Sequence, residues 1–409
     1  MRLIVLCPHF EPDTAPTGIV MTQLVHELAA RGHELHVVTA LPWYRHHRIE
    51  EGWEGRPLRR ETTSFGSITR VHPFPGPDKR RLFRRAAGFA GFCALAGLAG
   101  LGAGWRRWRV DGVLVMSPPL PLGLVGRALA TLRRGSLVLN VQDVFPDAAV
   151  ETGAITNRHL IAAARALEEL TYRAADAVTV LSEDLADNVR VKLPASRGYR
   201  VEVIPNFVDT VAVRPTERTT RYRTELGLGA EPVVMYAGNV GLSQSLGLLV
   251  EAARRLPAVS FVVNGEGSAL LELRRAAAGL SNLQFAVFQP ARRLSEVLGT
   301  ADVHVVPLRA GLGRVSVPSK IYSILAAGRP VVAAIDPGTE VPRILAASGA
   351  GLAVPPDAVE PFVAALESLI ADPERATAMG RAGRIWVEGH ASAAAVAGRY
   401  EALFRELLT

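Results

Sequence analysis

Val233-Val-Met-Tyr-Ala-Gly-Asn-Val-Gly241 joins a five-residue apolar run to a glycine-rich turn, and a helical stretch follows over 248–255. An apolar run of this length is typical of a parallel strand that is buried on both faces. The same order recurs near the N-terminus, where the apolar run Leu3–Cys7 precedes a polar loop over 8–18 and a helix that ends at Gly32. Each stretch therefore predicts the start of a βαβ unit.

Further short apolar runs alternate with helical stretches through the rest of the chain. This alternation predicts an α/β fold of two doubly wound, Rossmann-like domains whose strand ends face a central cleft. The first domain covers 1–205, the second covers 206–385, and a C-terminal helix over 386–409 returns to the first domain. Residues 42–82 are polar and rich in arginine, histidine and proline, which predicts a mobile loop or a small hairpin.

Positive charge is concentrated in one segment of the 409-residue chain. The net charge is +7, and eight basic residues with no acidic residue lie between Lys79 and Arg109. These eight charges exceed the whole net excess, so the basicity is local and does not indicate a nucleic-acid-binding protein. The uncharged stretch 86–105 lies within this segment, and its length is compatible with a buried helix, a helix in the bilayer interface or a membrane span.

The cysteines and the N-terminus exclude other classes of protein. Cys7 and Cys93 provide neither a disulfide framework nor a metal-binding spacing, so we expect no metal site. The apolar run Leu3–Cys7 is too short for the hydrophobic region of a secretory signal, and we expect a cytoplasmic location.

Two loops have the composition of a ligand-binding turn. Gly18 closes the first loop, and Gly238 and Gly241 open the second, where a backbone without side chains can approach an anion. The alternative for the first loop is a simple tight turn. Neither loop has the GxGxxG or GxxxxGK[ST] spacing, which disfavours a dinucleotide-dependent oxidoreductase and a P-loop enzyme.

Two further positions carry polar groups after predicted strands. Arg314, Ser319 and Lys320 precede a helix, and two cations with a hydroxyl suit a diphosphate, although a solvated helix start has the same composition. Asp143 follows the apolar run 137–141, where its carboxylate can accept a hydrogen bond from a substrate hydroxyl or act as a base. The alternative for Asp143 is an aspartate that caps a helix or a turn.

These stretches together resemble the retaining GT-B glycosyltransferases of family 4, which move a sugar from a nucleoside diphosphate to an acceptor. The resemblance is greatest to the bacterial subgroup for exopolysaccharide, capsule and O-antigen units, including colanic-acid-type and fucosamine-type transferases. The matching segments are Pro16-Thr-Gly18, Ala30-Arg-Gly-His33, Val203-Ile-Pro-Asn-Phe-Val-Asp209, Tyr236-Ala-Gly-Asn-Val-Gly241 and Pro318-Ser-Lys-Ile-Tyr-Ser-Ile-Leu-Ala-Ala-Gly-Arg-Pro330, together with Val141-Gln-Asp-Val-Phe-Pro-Asp147.

The resemblance implies a role for each candidate residue. It implies no metal and no cofactor beyond the donor itself, because fixed cations offset the charge of the leaving group. Asp143, Arg314 and Lys320 would be the catalytic groups. The donor would be held by residues of both predicted domains: Gly18, Gly238, Asn239, Gly241, Phe288, Ser319, Ser323 and Glu340.

The sequence departs from the family pattern at its acidic pair. The two glutamates of the family, seven residues apart, would fall at Val315 and Ser323. Asn239 and Gln244 stand approximately where the family has an arginine and a lysine, and Asp143 stands in place of a histidine. Two alternatives to a transferase therefore remain, a non-catalytic nucleotide-sugar-binding partner of a membrane assembly and a nucleotide-sugar epimerase or hydrolase.

The resemblance also gives the uncharged stretch a place in the first domain. A membrane span would split the predicted sheet, so we expect a helix over about 82–109 that docks on the inner face of the plasma membrane. There it would lie close to a lipid-linked saccharide acceptor. Four arginines would face the anionic lipid: Arg84, Arg85, Arg106 and Arg107.

Overall fold

The structure is a computed structural model that describes residues 1–45, 47–75, 82–104, 108–147, 157–194, 198, 200–314 and 317–409, with the side chains of 82–86 outside the description. Contacts divide the described chain into two compact units. One unit comprises residues 1–206 and 396–409, and the other comprises 207–395. Both are Rossmann-like, which confirms the predicted fold class.

The first unit contains an eight-stranded sheet in the order β3-β4-β2-β1-β5-β6-β7-β8. All neighbouring strands are parallel except β3, which runs antiparallel to β4. The central strands are almost wholly buried, as their apolar sequences require. The strands are β1 (Arg2–Leu6), β2 (Glu34–Ala40), β3 (Leu58–Thr63), β4 (Gly66–Val71), β5 (Gly112–Ser117), β6 (Ser136–Val141), β7 (Ala177–Val180) and β8 (Arg200–Val203).

Helices cover both sides of this sheet between the parallel strands. Close packing depends on small residues, since a Cβ on Gly123 would lie 2.4 Å from Thr171 Cγ2 and one on Gly126 would lie 2.4 Å from Val115 Cγ2. The helices are α1 (Pro16–Ala30), α2 (Leu82–Gly102), α3 (Pro121–Arg133), α4 (Arg158–Ala174) and α5 (Glu183–Lys192).

The polar segment 42–82 contains a hairpin that extends the sheet. Strand β4 pairs in parallel with β2, and β3 folds back against β4. β4 is buried although its sequence is polar, because the Arg70 guanidinium donates to Glu61 at 2.7 Å and to the carbonyl of Glu11 at 2.7 Å. The hairpin alternative is therefore correct, and the buried Arg70 is hydrogen-bonded through Nε and one of its two terminal nitrogens.

Helix α2, which carries most of the uncharged stretch, ends at Gly102 and lies with one face in the core. Phe92, Cys93 and Ala96 are buried, whereas Leu98 on another face is 68% exposed. Within the described ranges, no helix is both long and apolar enough to cross a bilayer. The side chains of Arg84 and Arg85, and Arg106 and Arg107 altogether, lie outside the described residues.

The second unit contains a six-stranded, wholly parallel sheet in the order β11-β10-β9-β12-β13-β14. Its strands are β9 (Val233–Ala237), β10 (Ser260–Asn264), β11 (Leu283–Ala286), β12 (Val303–Pro307), β13 (Val331–Ala334) and β14 (Gly351–Val354). Its helices are α6 (Arg221–Glu225), α7 (Gly247–Arg255), α8 (Leu270–Ala276), α9 (Leu294–Thr300), α10 (Lys320–Ala326), α11 (Glu340–Ser348), α12 (Val359–Ile370) and α13 (Pro373–His390).

The predicted tail helix over 386–409 is two helices instead of one. α13 ends at His390 and α14 (Ala393–Leu408) begins three residues later. Between them, the Ser392 hydroxyl accepts the backbone N–H of Ala395 at 3.2 Å, a side-chain bond that starts a new helix. α14 does return to the first unit, where Tyr400 accepts a 2.8 Å hydrogen bond from the buried amide of Asn140.

Candidate functional site

A pocket of about 140 Å³ lies at the carboxyl edge of the sheet in the second unit. Strands β9 and β10 end there, and α9 and α10 form its sides. Open parallel sheets bind their ligands at this edge. Five of its lining residues are aliphatic, and the other six are polar, aromatic or glycine: Gly238, Asn264, Phe288, Gln289, Lys320 and Ser323. Four of these six were predicted from the sequence, and the structure brings those four together.

Lys320 is the first residue of α10 and places its ammonium against β9. Nζ donates a 2.6 Å hydrogen bond to the hydroxyl of Tyr236 and lies 3.8 Å from the centroid of that ring. Within the described chain no carboxylate pairs with Nζ. Burial lowers the pKa of Lys320 to about 7, because its charge is removed from water without a compensating anion. A cation of this kind in a pocket is poised to bind an anionic ligand.

The turn that follows β9 passes directly over this ammonium. A Cβ on Gly238 would lie 2.7 Å from Nζ of Lys320, and Gly238 has a φ of +147°. The same turn packs against Gly265 and Gly267, where added Cβ atoms would lie 1.9 Å from the Gly238 carbonyl oxygen and 2.2 Å from the Val240 carbonyl oxygen. The backbones of the two glycine segments therefore pack directly against each other, and this contact supports the turn that lies beside Lys320.

Asn239 and Gly241 are held by the chain itself. The carbonyl of Asn239 accepts a short hydrogen bond from the hydroxyl of Tyr236. The backbone N–H of Gly241 donates to Gln244 Oε1 at 2.9 Å. Gln244 stands approximately where the family has a lysine, and its side chain closes the turn. Its amide oxygen accepts the Gly241 N–H, a backbone donor that was predicted to face the ligand.

Arg314 is exposed at the end of a loop that two aspartates hold in place. Asp336 accepts the backbone N–H groups of Gly311 and Gly313, at 2.9 Å and 3.0 Å. Asp357 accepts the N–H of Ala310 at 3.1 Å. Arg314 does not line the pocket around Lys320, and it presents a solvated cation on a braced loop.

The other predicted donor residues occupy different environments. Phe288 is half exposed at the rim of the pocket and Ser323 lies in its wall. Ser319 is exposed, directly before Lys320. Glu340 opens α11 and forms a 3.3 Å ion pair with Arg343, so its carboxylate is engaged within its own helix.

In the first unit, Asp143 follows β6 at the carboxyl edge of that sheet. Its side chain is exposed, but nearby protein still displaces enough water to raise its pKa above the ordinary value. Asp147 on the same segment accepts from Lys192 Nζ at 2.7 Å, and that ammonium also contacts the fully buried Glu168 at 2.8 Å. Ion pairing thus anchors the segment that carries Asp143.

Gly18 lies in the first turn of α1, where that helix passes close to the loop after β1. A Cβ at this position would lie 2.8 Å from Cβ of His9 and 3.2 Å from its carbonyl carbon. Glycine is thus required here by close packing.

Sequence reasoning missed three polar residues of these sites. Tyr236 was missed because, in the sequence, it continues the apolar run of a buried strand. Asn264 is the first polar side chain after the apolar run of β10, and this signal was available; it accepts from Tyr222 Oη at 2.5 Å. Gln289 lies in a short polar loop with no pattern of its own. His304 is buried, and its Nε2 donates a 2.8 Å hydrogen bond to the carbonyl of Leu298.

Solved structures share the fold of this chain over its whole length. Sucrose-phosphate synthase from Thermosynechococcus elongatus superposes with a TM-score of 0.74 at 19% identity, covering 100% of this chain and 99% of that one. HepE of Anabaena, solved in complex with UDP-glucose, superposes with a TM-score of 0.67 at 14% identity, covering 99% of this chain and 100% of that one. At these identities the likeness is one of fold.

Sequence relatives cover the chain as well. WcaI of Escherichia coli (strain K12), named as a colanic acid biosynthesis glycosyl transferase, is 28% identical over 92% of this chain and 94% of its own length. A GDP-mannose-dependent alpha-(1-6)-phosphatidylinositol monomannoside mannosyltransferase of Mycolicibacterium smegmatis (strain ATCC 700084 / mc(2)155) is 33% identical over 46% of this chain and 51% of its own length.

Two family models match the chain in succession. The Glycosyl transferase 4-like domain matches residues 17–207, and Glycosyl transferases group 1 matches residues 231–372. The first match falls on the unit that carries Asp143, and the second spans the pocket around Lys320. The chain therefore consists largely of a glycosyl transferase 4-like domain followed by a domain of the glycosyl transferases group 1, and it is a glycosyltransferase.

Proposed function

We propose that this glycosyltransferase moves a sugar from a nucleoside diphosphate to a lipid-linked glycan acceptor in the synthesis of a bacterial surface polysaccharide. The observation that carries the proposal is the buried ammonium of Lys320, which has no carboxylate partner within the described chain and lies beneath the glycine turn. An anionic diphosphate is the ligand that relieves this uncompensated charge.

The donor class is supported by the form of the pocket and by named relatives. A volume of about 140 Å³ accommodates only part of a nucleotide sugar, so the rest of the donor extends past the rim, where Phe288 offers an exposed ring. HepE is solved with UDP-glucose, and the mycobacterial relative is named for GDP-mannose. Both are nucleoside diphosphate sugars, which is the class that we assign.

Charge stabilisation by side chains replaces a metal in this proposal. When the bond between the anomeric carbon and the diphosphate breaks, negative charge grows on the diphosphate oxygens. Lys320 in the pocket and Arg314 on its braced loop are the cations assigned to offset that charge. The Asp143 carboxylate is assigned to accept a hydrogen bond from a substrate hydroxyl. Retention of configuration is the expected stereochemistry by family resemblance.

The proposed acceptor is lipid-linked, at the inner face of the plasma membrane. One face of α2 is buried in the core, while Ala94 and Leu98 leave an uncharged, exposed face. Arg84 and Arg85 lie in the first turn of this helix, and Arg106, Arg107 and Arg109 follow it in the sequence. Each basic residue contributes roughly 1 kcal/mol at an anionic surface. WcaI, which matches over nearly its whole length, is named for the synthesis of colanic acid, and this name supports a polysaccharide product.

Release of nucleoside diphosphate tests the transfer. The protein is incubated with UDP-, GDP- and dTDP-sugars, with EDTA present, with and without a polyprenyl diphosphate monosaccharide. We expect release that depends on the acceptor and is confined to donors of one base. Nucleoside diphosphate release that does not depend on the acceptor would identify a hydrolase. If no donor yields nucleoside diphosphate, the protein binds the nucleotide sugar without transferring it, and the proposal fails.

Flotation with vesicles tests the membrane assignment separately. The protein should float with vesicles that contain anionic phospholipid, and a quadruple change to glutamate at Arg84, Arg85, Arg106 and Arg107 should abolish flotation. A charge-matched control changes four arginines of the second unit: Arg221, Arg254, Arg275 and Arg381. If the quadruple variant floats as well as the control, the docking surface is elsewhere.

A further inference from the structure

A groove of about 700 Å³ lies along the hairpin at the edge of the first sheet. It is formed by β3 and by the turn that precedes this strand, in residues that the candidate site does not use. Leu58, the first residue of β3, pairs with Val71, the last residue of β4, so the groove begins at the carboxyl edge of the sheet. Open parallel sheets bind their ligands at this edge.

Trp53 forms an aromatic wall of this groove. The guanidinium groups of Arg59 and Arg70 lie 5.1 Å and 4.9 Å from the centroid of its ring. The two arginines are paired across β3 and β4, so they lie on the same face of the sheet and hold the ring against it. The ring is partly exposed, and its N–H has no hydrogen-bond partner within the described chain. A fixed ring with a free N–H suits a sugar, which has both C–H faces and hydroxyl acceptors.

The groove carries more positive than negative charge. Five charged side chains line it, three of them basic: Arg56, Arg59, Arg60, Glu54 and Glu61. Glu61 is neutralised by the 2.7 Å ion pair with Arg70. Arg56 and Arg60 are exposed, and neither pairs with a carboxylate among the residues that the structure describes. Guanidinium groups bind carboxylates and phosphates through two parallel hydrogen bonds, so this pair of free cations suits an anion.

Strand β3 also offers backbone groups to a ligand. It stands at the end of the sheet order and pairs only with β4 among the described strands. Backbone donors and acceptors on its other side are therefore available to sugar hydroxyls. Charged residues on an edge strand also prevent association of sheets. That role needs neither the ring of Trp53 nor Arg56 in the preceding turn.

We infer that this groove binds a sugar that carries a carboxylate or a phosphate, within the acceptor glycan. The inference rests on the proposed function, which supplies the glycan. The Trp53 ring takes a C–H face of the sugar, and Arg56 and Arg60 bind its anion. β6, which leads to Asp143, stands five places from β3 in the sheet, about 24 Å at the usual strand spacing. The bound sugar is therefore remote from the reacting hydroxyl, and the groove selects acceptors longer than one sugar.

NMR without any donor tests the site. Protein labelled with ¹⁵N at its indole groups is titrated with cellobiouronic acid, with glucose 6-phosphate and with cellobiose, the neutral counterpart of the first. The resonance of Trp53, assigned by its loss in Trp53→Phe, should shift with an anionic sugar at concentrations at which cellobiose has no effect. The sugar that shifts it distinguishes carboxylate from phosphate. A shift with cellobiose at equal concentration, or no shift with any of the three, overturns the inference.

Substitution of the two free arginines separates binding from folding. The double variant Arg56→Gln with Arg60→Gln should bind the preferred anionic sugar about 10-fold more weakly. Both side chains are exposed and unpaired in the described chain, so the fold should persist. The matched control is Arg158→Gln with Arg173→Gln, at two exposed arginines of α4. Equal affinities in the two double variants would remove the arginines from the site.

Transfer assays place the groove in the reaction. Two acceptors are compared, the polyprenyl diphosphate monosaccharide and a polyprenyl diphosphate oligosaccharide that carries the preferred anion. The Arg56 and Arg60 double variant should raise KM for the acidic oligosaccharide about 10-fold, with kcat and the monosaccharide reaction unchanged. An unchanged KM for the acidic acceptor would overturn the role of the groove. Absence of wild-type turnover would instead count against the proposed function, and the NMR titration then decides on the groove by itself.

Discussion

The ammonium of Lys320 donates a 2.6 Å hydrogen bond to the hydroxyl of Tyr236, which in turn donates to the carbonyl of Asn239. Lys320 begins a helix, whereas Tyr236 and Asn239 belong to a strand and to the turn after it. This short chain of hydrogen bonds couples the cation of the pocket to the glycine turn. Binding at the ammonium and the conformation of the turn are therefore linked properties.

Lys320→Met should weaken binding of UDP or GDP, whichever the protein prefers, by about 10- to 100-fold, the value of one charge-assisted hydrogen bond. The change keeps most of the side-chain volume, so the fold should persist. Titration calorimetry measures the affinity, and Arg221→Met, at an exposed site far from the pocket residues in sequence, is the control. Equal affinities in both variants would remove Lys320 from the diphosphate site.

Nucleoside diphosphate binding should also depend on pH. Burial lowers the pKa of Lys320 to about 7, and a bound anion raises it again, so the complex takes up a proton where the free protein has lost one. Affinity should fall as the pH rises from about 7 to 9. Calorimetry in buffers of different ionisation enthalpy measures the proton uptake, and uptake that persists in Lys320→Met would assign it to another group.

The same pKa predicts the sign of a stability effect in the unliganded protein. In the unfolded chain the lysine keeps its ordinary pKa, so between pH 7 and about 10 the unfolded state holds the extra proton. The contribution of Lys320 to folding therefore becomes more favourable as the pH rises through this range. A comparison with Lys320→Met by urea unfolding isolates this contribution.

Gly265→Ala should destabilise the second unit by about 2–3 kcal/mol through overpacking, because its Cβ would lie 1.9 Å from the carbonyl oxygen of Gly238. Gly247→Ala at the start of α7 is the control, since nothing lies within 4 Å of its Cβ. Thermal and urea unfolding measure both. A Gly265→Ala protein as stable as the control would show that the two glycine segments do not need their close approach.

Lys192→Met should destabilise the first unit by about 3–5 kcal/mol, because Glu168 is left buried without its cation. The deficit should shrink as the pH falls, since protonated Glu168 needs no partner, and burial already raises its pKa. Adding Glu168→Gln should recover part of the loss. Urea unfolding at pH 5 and pH 8 gives these values, and a deficit that is independent of pH would refute the ionic explanation.

Local sequence patterns predicted the strands that are apolar throughout. Val233–Ala237 has the predicted bounds, because a strand buried on both faces needs no side-chain context to be recognised. The hairpin that contains β4 was only one of two alternatives for residues 42–82, since its buried Arg70 depends on Glu61 of the neighbouring strand. The break at Ser392 likewise follows from a single capping hydroxyl inside an otherwise helical sequence.

In the candidate site, too, some residues could be predicted from the sequence and others could not. Gly238, Phe288 and Ser323 were predicted as donor-binding residues and Lys320 as a catalytic group, and all four line one pocket. Arg314 lies on an exposed loop outside it. Gly238 and Lys320 stand at the end of a strand and the start of a helix, positions that sequence alone identifies as ligand-facing. Tyr236 could not be identified, since only its neighbours show that its hydroxyl leaves the strand to meet an ammonium.

The sequence by itself determined two parallel α/β units, the positions of their strand ends and the cations available there, because burial and turn formation are local properties of hydrophobicity and glycine. Only the tertiary structure decided which of those cations is buried and unpaired. Desolvation depends on atoms from β9, α10 and the turn after β9 together, and these are far apart along the chain. The 2.7 Å hydrogen bond between His9 Nδ1 and Asp13 Oδ2 lies in the loop after β1, and Trp43 and Tyr44, which pack against His9, follow β2. These loops meet only because β1 and β2 pair side by side in the folded sheet.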